Sequence, residues 1–138
     1  MLTLSKKTRY AMMALTKLAK EYGKGPVLIS NIANSEQIPQ RFLENILLEL
    51  KKMGILGSKL GKTGGYYLIK KPEDISLDDI ISHFEGSISM LYCISENSYQ
   101  PCEFCRKEDT CKIRGVFKQI SDNTIAVLKK TTIDQLVD

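Results

Sequence analysis

The chain has 138 residues, a formal net charge of +4 and four cysteines. A chain of this length can bury roughly two-thirds of its unfolded surface, so one compact unit is expected. It contains no run of about 18 apolar residues, which excludes a transmembrane helix, and no signal-peptide core follows its charged first residues. The sequence therefore predicts a cytoplasmic protein, in which thiols stay reduced.

The charge is unevenly distributed along the chain. Residues 1–72 contain 13 Lys and Arg against 4 Asp and Glu, a net charge of +9, whereas residues 73–138 contain 7 against 12, a net charge of −5. A basic segment joined to an acidic one is typical of a module that faces phosphate groups and is attached to a second, different module. The alternative is an ordinary solvated surface with uneven charge.

Three helices are predicted before residue 54. Apolar residues recur at helical spacing over residues 8–22. A short second helix covers residues 29–33, with Leu28 and Ile32 directed inward, and a turn follows it. The third helix covers residues 39–53, since a proline suits the first helical position. The apolar face of this third helix consists of Phe42, Leu43, Ile46, Leu47, Leu50 and Met53.

Two short strands are predicted at residues 55–59 and 66–69, on either side of the segment Gly61-Lys-Thr-Gly-Gly65. Glycines supply the positive φ angles that the tip of a β-hairpin requires. Three helices followed by a hairpin is the element order of a winged helix-turn-helix. The predicted fold is therefore mainly α with a small β-hairpin.

Two more helices are predicted in the acidic half. Ser76 begins a capping box for a short helix that ends at Glu85, where Gly86 stops it. A helix of about 20 residues follows the cysteines, with apolar residues repeating at threes and fours. A domain this small cannot bury all of these apolar residues, and pairing with a second copy is therefore expected. The alternative is that the helix folds back on its own domain. The predicted seam contains Ile113, Val116, Phe117, Ile120, Thr124, Val127, Leu128 and Thr131.

The basic half contains the residue types that bind DNA. A recognition helix places the side chains of its first turns against base edges, while residues around it hold phosphates. Arg binds guanine, Gln or Asn binds adenine, and Glu accepts from cytosine. The predicted base-reading residues are Gln40, Arg41, Glu44 and Asn45. The predicted backbone contacts are Ser5, Lys6, Lys7, Arg9, Ser30, Lys51 and Lys52, with Lys59 and Lys62 in the wing. For Gln40, Glu44 and Asn45, the alternative is a merely solvated helix face.

All four cysteines lie in residues 93–111, a polar segment that we call the cysteine loop. Thiolates are the ligands favoured by iron–sulfur clusters, zinc and copper(I). The spacing C-x8-C-x2-C-x5-C contains one close pair, Cys102 and Cys105, whereas zinc sites usually have two. Iron–sulfur clusters tolerate looser spacing. The spacing alone leaves four readings open: an iron–sulfur cluster, zinc, a metal-free thiol switch, and no function.

Six segments, spread over almost the whole chain, share their residues with a known group of proteins. They are Leu4-Ser-Lys-Lys-Thr-Arg-Tyr-Ala11, Ile38-Pro-Gln-Arg-Phe-Leu-Glu44, Leu50-Lys-Lys-Met-Gly-Ile-Leu56, Gly61-Lys-Thr-Gly-Gly-Tyr-Tyr-Leu68, Ile80-Ile-Ser82 and Cys105-x5-Cys111. In these segments the chain resembles the IscR/NsrR/CymR group of bacterial winged-helix transcription regulators.

The resemblance implies a homodimer that binds palindromic promoter DNA, with the long C-terminal helices forming the dimer interface. Many members hold a two-iron two-sulfur cluster through three loop cysteines, which correspond here to Cys93, Cys105 and Cys111. Such members complete the ligand set with a histidine three residues after the last cysteine or with an N-terminal aspartate of the partner subunit. This chain has Arg114 at the histidine position and Arg9 in the region of the aspartate. Cys102 is therefore the predicted fourth ligand.

The predicted function is a homodimeric transcription regulator, not an enzyme, whose affinity for double-stranded promoter DNA is controlled by an iron–sulfur cluster. The alternatives are a structural zinc site and a metal-free thiol redox switch. In the wing, Leu60 replaces an arginine that is frequent in the group, so the two neighbouring lysines are expected to make that contact. The predicted organisation is a DNA-binding region at 1–72, a connecting short helix at 73–92, the cysteine loop at 93–111, and a dimerisation helix with a tail at 112–138.

Overall fold

The structure, a computed structural model, describes residues 3–104 and 107–138. Its regular elements follow the predicted order of three helices, a hairpin and two further helices. They are α1 (Lys6–Lys20), α2 (Ile29–Glu36), α3 (Gln40–Lys52), β1 (Leu56–Lys59), β2 (Gly65–Leu68), α4 (Leu77–Glu85) and α5 (Lys112–Lys130). Short 3-10 turns lie at Pro72–Asp74, Tyr92–Ile94, Glu108–Thr110 and Ile133–Leu136.

The core lies between α1, α2 and α3 and extends to the hairpin and α4. The apolar residues of α1 and α3 recur every three or four positions, so each helix buries one face and leaves the other in water. The predicted apolar face of α3 is confirmed at its four central positions. The buried residues of α1 and α3 include Ala11, Ala14, Leu15, Leu18, Leu43, Ile46, Leu47 and Leu50.

The wing is an antiparallel hairpin in which Leu56 pairs with Leu68 and Lys59 with Gly65. The segment before α2 joins it, because the amides and carbonyls of Val27 and Tyr66 exchange two hydrogen bonds of 2.8 Å. Gly65 has a φ of +130°, and a Cβ there would lie 2.1 Å from the carbonyl oxygen of Val27. Only glycine fits this close approach, which confirms the predicted role of glycine in the wing.

Several predicted details near α2 and α3 are wrong. Helix α2 continues to Glu36 and ends where Gln37 takes a left-handed conformation with φ +54°. Leu28, predicted to face inward, is 38% exposed, whereas Ile32 is fully buried. Pro39 caps α3 from outside instead of occupying its first position. Each error lies at a helix end, where the periodic signal is shortest.

The acidic half packs on the same core through α4 and the end of the chain. The Ser76 hydroxyl accepts a hydrogen bond of 3.1 Å from the Asp79 amide, which confirms the predicted cap of α4. After α5 the chain turns back, and the amide of Ile133 donates to the carbonyl of Ile75 at 2.9 Å. Ile133 is fully buried. This C-terminal turn (Ile133–Leu136) lies in the segment predicted only as a tail.

Across the part of the chain that the structure describes, no helix combines the length and the apolar character needed to cross a bilayer.

The C-terminal turn is expected to stabilise the whole fold. Replacing Ile133 with Ala deletes a fully buried side chain, so the free energy of unfolding should fall by about 2–5 kcal/mol. Leu136→Ala is the matched control, because Leu136 lies in the same turn and is 40% exposed. Urea unfolding at one fixed protein concentration measures both. Equal losses in the two variants would contradict the packing described for this turn.

Candidate functional site

The first turns of α3 present a polar face to solvent. Gln40, Arg41, Glu44 and Asn45 are all exposed, while the opposite face of α3 is held in the core. The core therefore holds α3 by its apolar face. The side chains on its exposed face occupy the positions that a recognition helix uses against base edges.

A groove of about 420 Å³ separates the beginning of α3 from α1. Tyr10 and Phe42 form its apolar wall and pack edge to face with ring centroids 5.6 Å apart. Phe42, predicted on the buried face of α3, is partly exposed because it forms this wall. Lys6, Arg41 and Asn45 also line the groove. The fold thus brings predicted phosphate-binding and base-reading residues from two helices to one surface.

Other predicted DNA contacts lie on α1, on α2 and in the wing. Ser5 is the N-cap of α1, and Arg9 is exposed in its first turns. Ser30 is the second residue of α2 and is half-buried. In the wing, Lys59 and Lys62 are exposed on either side of Leu60, which is 95% exposed.

Lys7 differs from the other predicted phosphate contacts because it is engaged within the protein. Its ammonium lies 2.7 Å from Glu49 Oε1 on α3 and 5.7 Å from the centre of the Phe84 ring on α4. Glu49 Oε2 also lies 3.7 Å from His83 Nε2. Sequence reasoning missed this link between α1, α3 and α4, because its members are far apart in the chain.

Glu85, the last residue of α4, binds the beginning of α1. Its Oε1 accepts hydrogen bonds from the Ser5 amide at 2.8 Å and from the Thr8 hydroxyl at 2.7 Å. These bonds, that from Thr8 first and that from Ser5 next, lower the pKa of Glu85. The stability they contribute is present above the ordinary carboxyl pKa and is lost as the pH falls through the lowered value.

The cysteine loop encloses a cavity of about 650 Å³. Cys93 is buried in a 3-10 turn, Cys102 is half-buried in a segment without regular secondary structure, and Cys111 is the N-cap of α5. All three line the cavity. The Cys111 sulfur accepts a hydrogen bond of 3.4 Å from the Arg114 amide. Cys105 lies outside the described residues.

Arg114 ties the loop to the beginning of α5. Its Nε donates to the carbonyl oxygen of Cys93 at 3.4 Å and lies 3.9 Å from Glu108 Oε2. Tyr99 donates its hydroxyl hydrogen to Glu108 Oε1, and this hydrogen bond raises the pKa of Tyr99. A guanidinium has no lone pair for a metal, so Arg114 can orient the loop but cannot replace a histidine ligand.

The donor set fits a metal centre in chemistry, because three thiols line one cavity. In residues 3–104 and 107–138, no three His, Cys, Asp or Glu side chains are close enough together to hold one metal ion. A wide cavity suits a cluster better than a single zinc ion, which requires four ligands at about 2.0–2.3 Å. Ligation of a single ion therefore requires a ligand outside these ranges or an inward movement of the loop.

Helix α5 exposes one apolar stripe and buries the face beside it. Within the predicted seam, Phe117 and Leu128 are half-buried on the side of α5 that carries the buried Ser121, whose hydroxyl lies 3.2 Å from that of Ser89. The remaining large apolar residues are 41–67% exposed. They are Ile113, Val116, Ile120 and Val127. One face of the helix therefore packs on its own chain, as the alternative prediction has it, and the other is left uncovered. Pairing with a second copy stays a prediction.

Comparisons with known proteins identify the family. A family model described as "Rrf2: Iron-dependent Transcriptional regulator" matches residues 4–138. An rrf2-like HTH-type transcriptional regulator of Rhodobacter capsulatus is 36% identical over 137 residues, which are 97% of this chain and 91% of the relative.

Two solved structures of similar proteins share the fold. The structure of CymR, the global cysteine regulator of B. subtilis, has a TM-score of 0.82 and 31% identity, and the match covers 99% of this chain and 96% of that one. The structure of IscR of T. potens has a TM-score of 0.75 and 27% identity, with coverages of 98% and 85%. These matches confirm the winged helix-turn-helix and the resemblance noted in the sequence. The relatives regulate transcription and are not enzymes, as predicted. The chain belongs to the Rrf2 family of transcriptional regulators.

Proposed function

We propose that this protein is a homodimeric cytoplasmic regulator that binds palindromic promoter DNA and whose DNA affinity is set by an iron–sulfur cluster, a two-iron two-sulfur one, in the cysteine loop. The observation that carries the DNA-binding part is the shared surface of α1 and α3. Lys6, Arg41 and Asn45 meet around one groove there, beside the exposed Gln40 and Glu44. Phosphate contacts and base contacts are thus available on one face, as direct readout requires.

The wing supports a second contact with the same duplex. Lys59 and Lys62 project from the hairpin, and lysines there neutralise phosphates without reading sequence. Ser5, Arg9 and Ser30 provide further donors for the DNA backbone on α1 and α2. Lys7 joins this set only if DNA competes with Glu49 for its ammonium.

The uncovered stripe of α5 supports a dimer. Four large apolar residues on one side of one helix, each at least 41% exposed, form a face that pairing with a second α5 would remove from water. A dimer would place two recognition helices on one duplex, as palindromic half-sites about one helical turn apart require. Affinity would then come from two linked contacts.

The cluster would be held by Cys93, Cys102, Cys105 and Cys111. When bound, it would supply a redox-active, iron-containing group to the loop. The described cysteines supply thiol ligands on three different segments around one cavity, so binding would cross-link parts of the loop. A ligand shifts DNA binding only to the extent that it favours one of two conformations.

A metal-free thiol switch is the second candidate function. Cys93 and Cys102 are free thiols that line the same cavity, and the similar CymR is named a cysteine regulator. Oxidation of such thiols would also reshape the loop. A structural zinc is a third candidate and requires the loop to contract around a single ion.

Base recognition is tested by comparing two basic residues. Arg41→Ala should reduce the discrimination between operator and mutated operator by about 1–3 kcal/mol, because a bidentate contact with guanine is lost. Lys62→Ala should weaken binding to all sequences alike and lower the slope of log affinity against log salt by about 1. Fluorescence anisotropy titrations at several salt concentrations measure both. Operator binding by both variants at wild-type affinity would place the recognition surface elsewhere.

The dimer face is tested by a charge on the stripe. Val127→Asp or Ile120→Asp should give a monomer, because the carboxylate would be desolvated in the interface. Its operator affinity should fall by on the order of 10² or more, since the two half-sites are no longer bound together. Ala126→Asp is the control: the same charge on the adjacent, exposed residue points away from the stripe. Sedimentation velocity reports the state of each variant. A dimeric Val127→Asp protein would exclude this interface.

The cofactor is tested by anaerobic purification with iron and zinc analysis. A brown, iron-containing protein is expected; a colourless one with one zinc per subunit would favour the structural site, and a colourless metal-free one the thiol switch. Cys93→Ser, Cys105→Ser and Cys111→Ser should abolish the visible absorption, whereas Cys102→Ser should leave a labile or spectrally altered cluster. Ligation by thiolates alone should also give a lower reduction potential than ligation that includes histidine. An unchanged spectrum and lifetime in Cys102→Ser would exclude Cys102 as the fourth ligand.

A further inference from the structure

The beginning of α1 is capped in an unusual way. In a common capping box, the N-cap serine accepts from the third helical amide, and a glutamate at that third position accepts from the amide of the serine. Ser5 fulfils the first half, because its hydroxyl accepts from the Thr8 amide at 3.2 Å. The third position is a threonine, whose side chain is too short to complete the second half.

Glu85 completes the box from another helix. Its carboxylate accepts from the Ser5 amide at 2.8 Å and from the Thr8 hydroxyl at 2.7 Å, across 80 and 77 residues of chain. Thr8 is fully buried, so its hydroxyl requires a partner; it lies 2.7 Å from the Glu85 carboxylate and 3.1 Å from the Ser5 hydroxyl. The order of the first turn of α1 therefore depends on where α4 ends.

Glu85 also stands at the entry to the cysteine loop. Gly86 follows it with φ +80° and ends α4. One residue further, the Ser87 hydroxyl lies 3.0 Å from that of Ser95, which is two residues after Cys93. The residues that follow α4 are thus linked by a side-chain hydrogen bond to the residues that follow Cys93.

The first turn of α1 is the part of that helix that faces DNA. Lys6 lines the groove with Arg41, and Lys7 is held by Glu49 of α3 and by the Phe84 ring of α4. Two consecutive residues of α4, Phe84 and Glu85, therefore hold the same turn of α1.

We propose that Glu85 is a positioning residue: it completes the N-cap of α1 from α4 and thereby couples the state of the cysteine loop to the DNA-facing first turn of α1. The cap is a property of the protein alone, whereas the coupling rests on the proposed function. The two parts are therefore measured separately.

The cap is tested without cofactor. In Glu85→Ala, amide hydrogen exchange at residues 5–8 should become faster while exchange in α3 stays unchanged. Operator affinity should fall about fivefold per protomer, on the scale of a lost N-cap. Glu85→Gln keeps an acceptor oxygen, so its exchange rate at residues 5–8 and its operator affinity should lie between those of the wild type and of Glu85→Ala. Glu73→Ala removes an equal charge from an exposed turn and should match the wild type. Unchanged exchange at residues 5–8 in Glu85→Ala would overturn the cap.

The coupling is tested by moving the capping carboxylate from α4 to α1. Glu85→Ala combined with Thr8→Glu supplies the capping box within α1 itself, where the new carboxylate can occupy the space that Glu85 leaves. Exchange at residues 5–8 and operator affinity should recover. Affinity should no longer differ between protein reconstituted with ferrous iron and sulfide and protein stripped by a chelator. A merely structural role for Glu85 would restore both the affinity and the response.

The outcomes separate the two proposals. If the wild-type protein has the same operator affinity with and without the cluster, both the proposed cluster control and the coupling are overturned. The hydrogen-exchange data would still decide whether Glu85 caps α1. A responsive wild type with an equally responsive double variant would overturn the coupling alone. If the double variant does not fold, Glu85→Gln decides: its response should be reduced, and a full wild-type response would overturn the coupling.

Discussion

Ala11, Ala14, Leu15 and Leu18 form a face of α1 that is almost completely removed from water. Helix α1 contacts α2, α3, β2, α4 and the C-terminal turn, so both halves of the chain use it as their common support. The small side chains of the two alanines allow neighbouring helices to approach closely. The hydrophobic effect thus fixes the recognition helix and the helix before the cysteine loop on the same element. A shift of one end of α4 is therefore expected to shift α1, and with α1 the surface that is proposed to face DNA.

Polar contacts orient the first turn of α1 on this apolar core. The carboxylates of Glu49 and Glu85 both bind the first turn of α1, one from α3 and the other from α4. Exposed ion pairs contribute little stability, so the value of the Lys7–Glu49 pair lies in orienting the turn. The Glu85 contacts are hydrogen bonds to the Ser5 amide and to the buried Thr8 hydroxyl, whose other partner is the Ser5 hydroxyl at 3.1 Å. Helix α5 connects the cysteine loop to the C-terminal turn, since Cys111 is its N-cap and Ile133–Leu136 follows its end.

Local signals in the sequence predicted most of the fold. The periodic apolar residues of α3, the glycines of the wing and the Ser76 cap each act within a few residues, and the structure confirms them. Contacts between distant residues gave no such signal. Nothing in the sequence near Glu85 indicates that it caps a helix that begins 80 residues earlier, and Ile133 has no periodic neighbour that would predict its burial. At the site, residue type and helix position predicted the exposed face of α3, whereas cysteine spacing left the identity of the metal open.

The central claim is that the cysteine loop and the DNA surface are coupled through α1. Its most direct test compares two portions of one anaerobic preparation, one loaded with the cluster and one stripped by a chelator, with all thiols reduced in both. The affinity of each portion is measured for the operator and for a scrambled duplex. Coupling of ordinary size predicts operator affinities that differ by about 5- to 150-fold, with no difference on the scrambled duplex. Equal operator affinities of the two portions would contradict the claim.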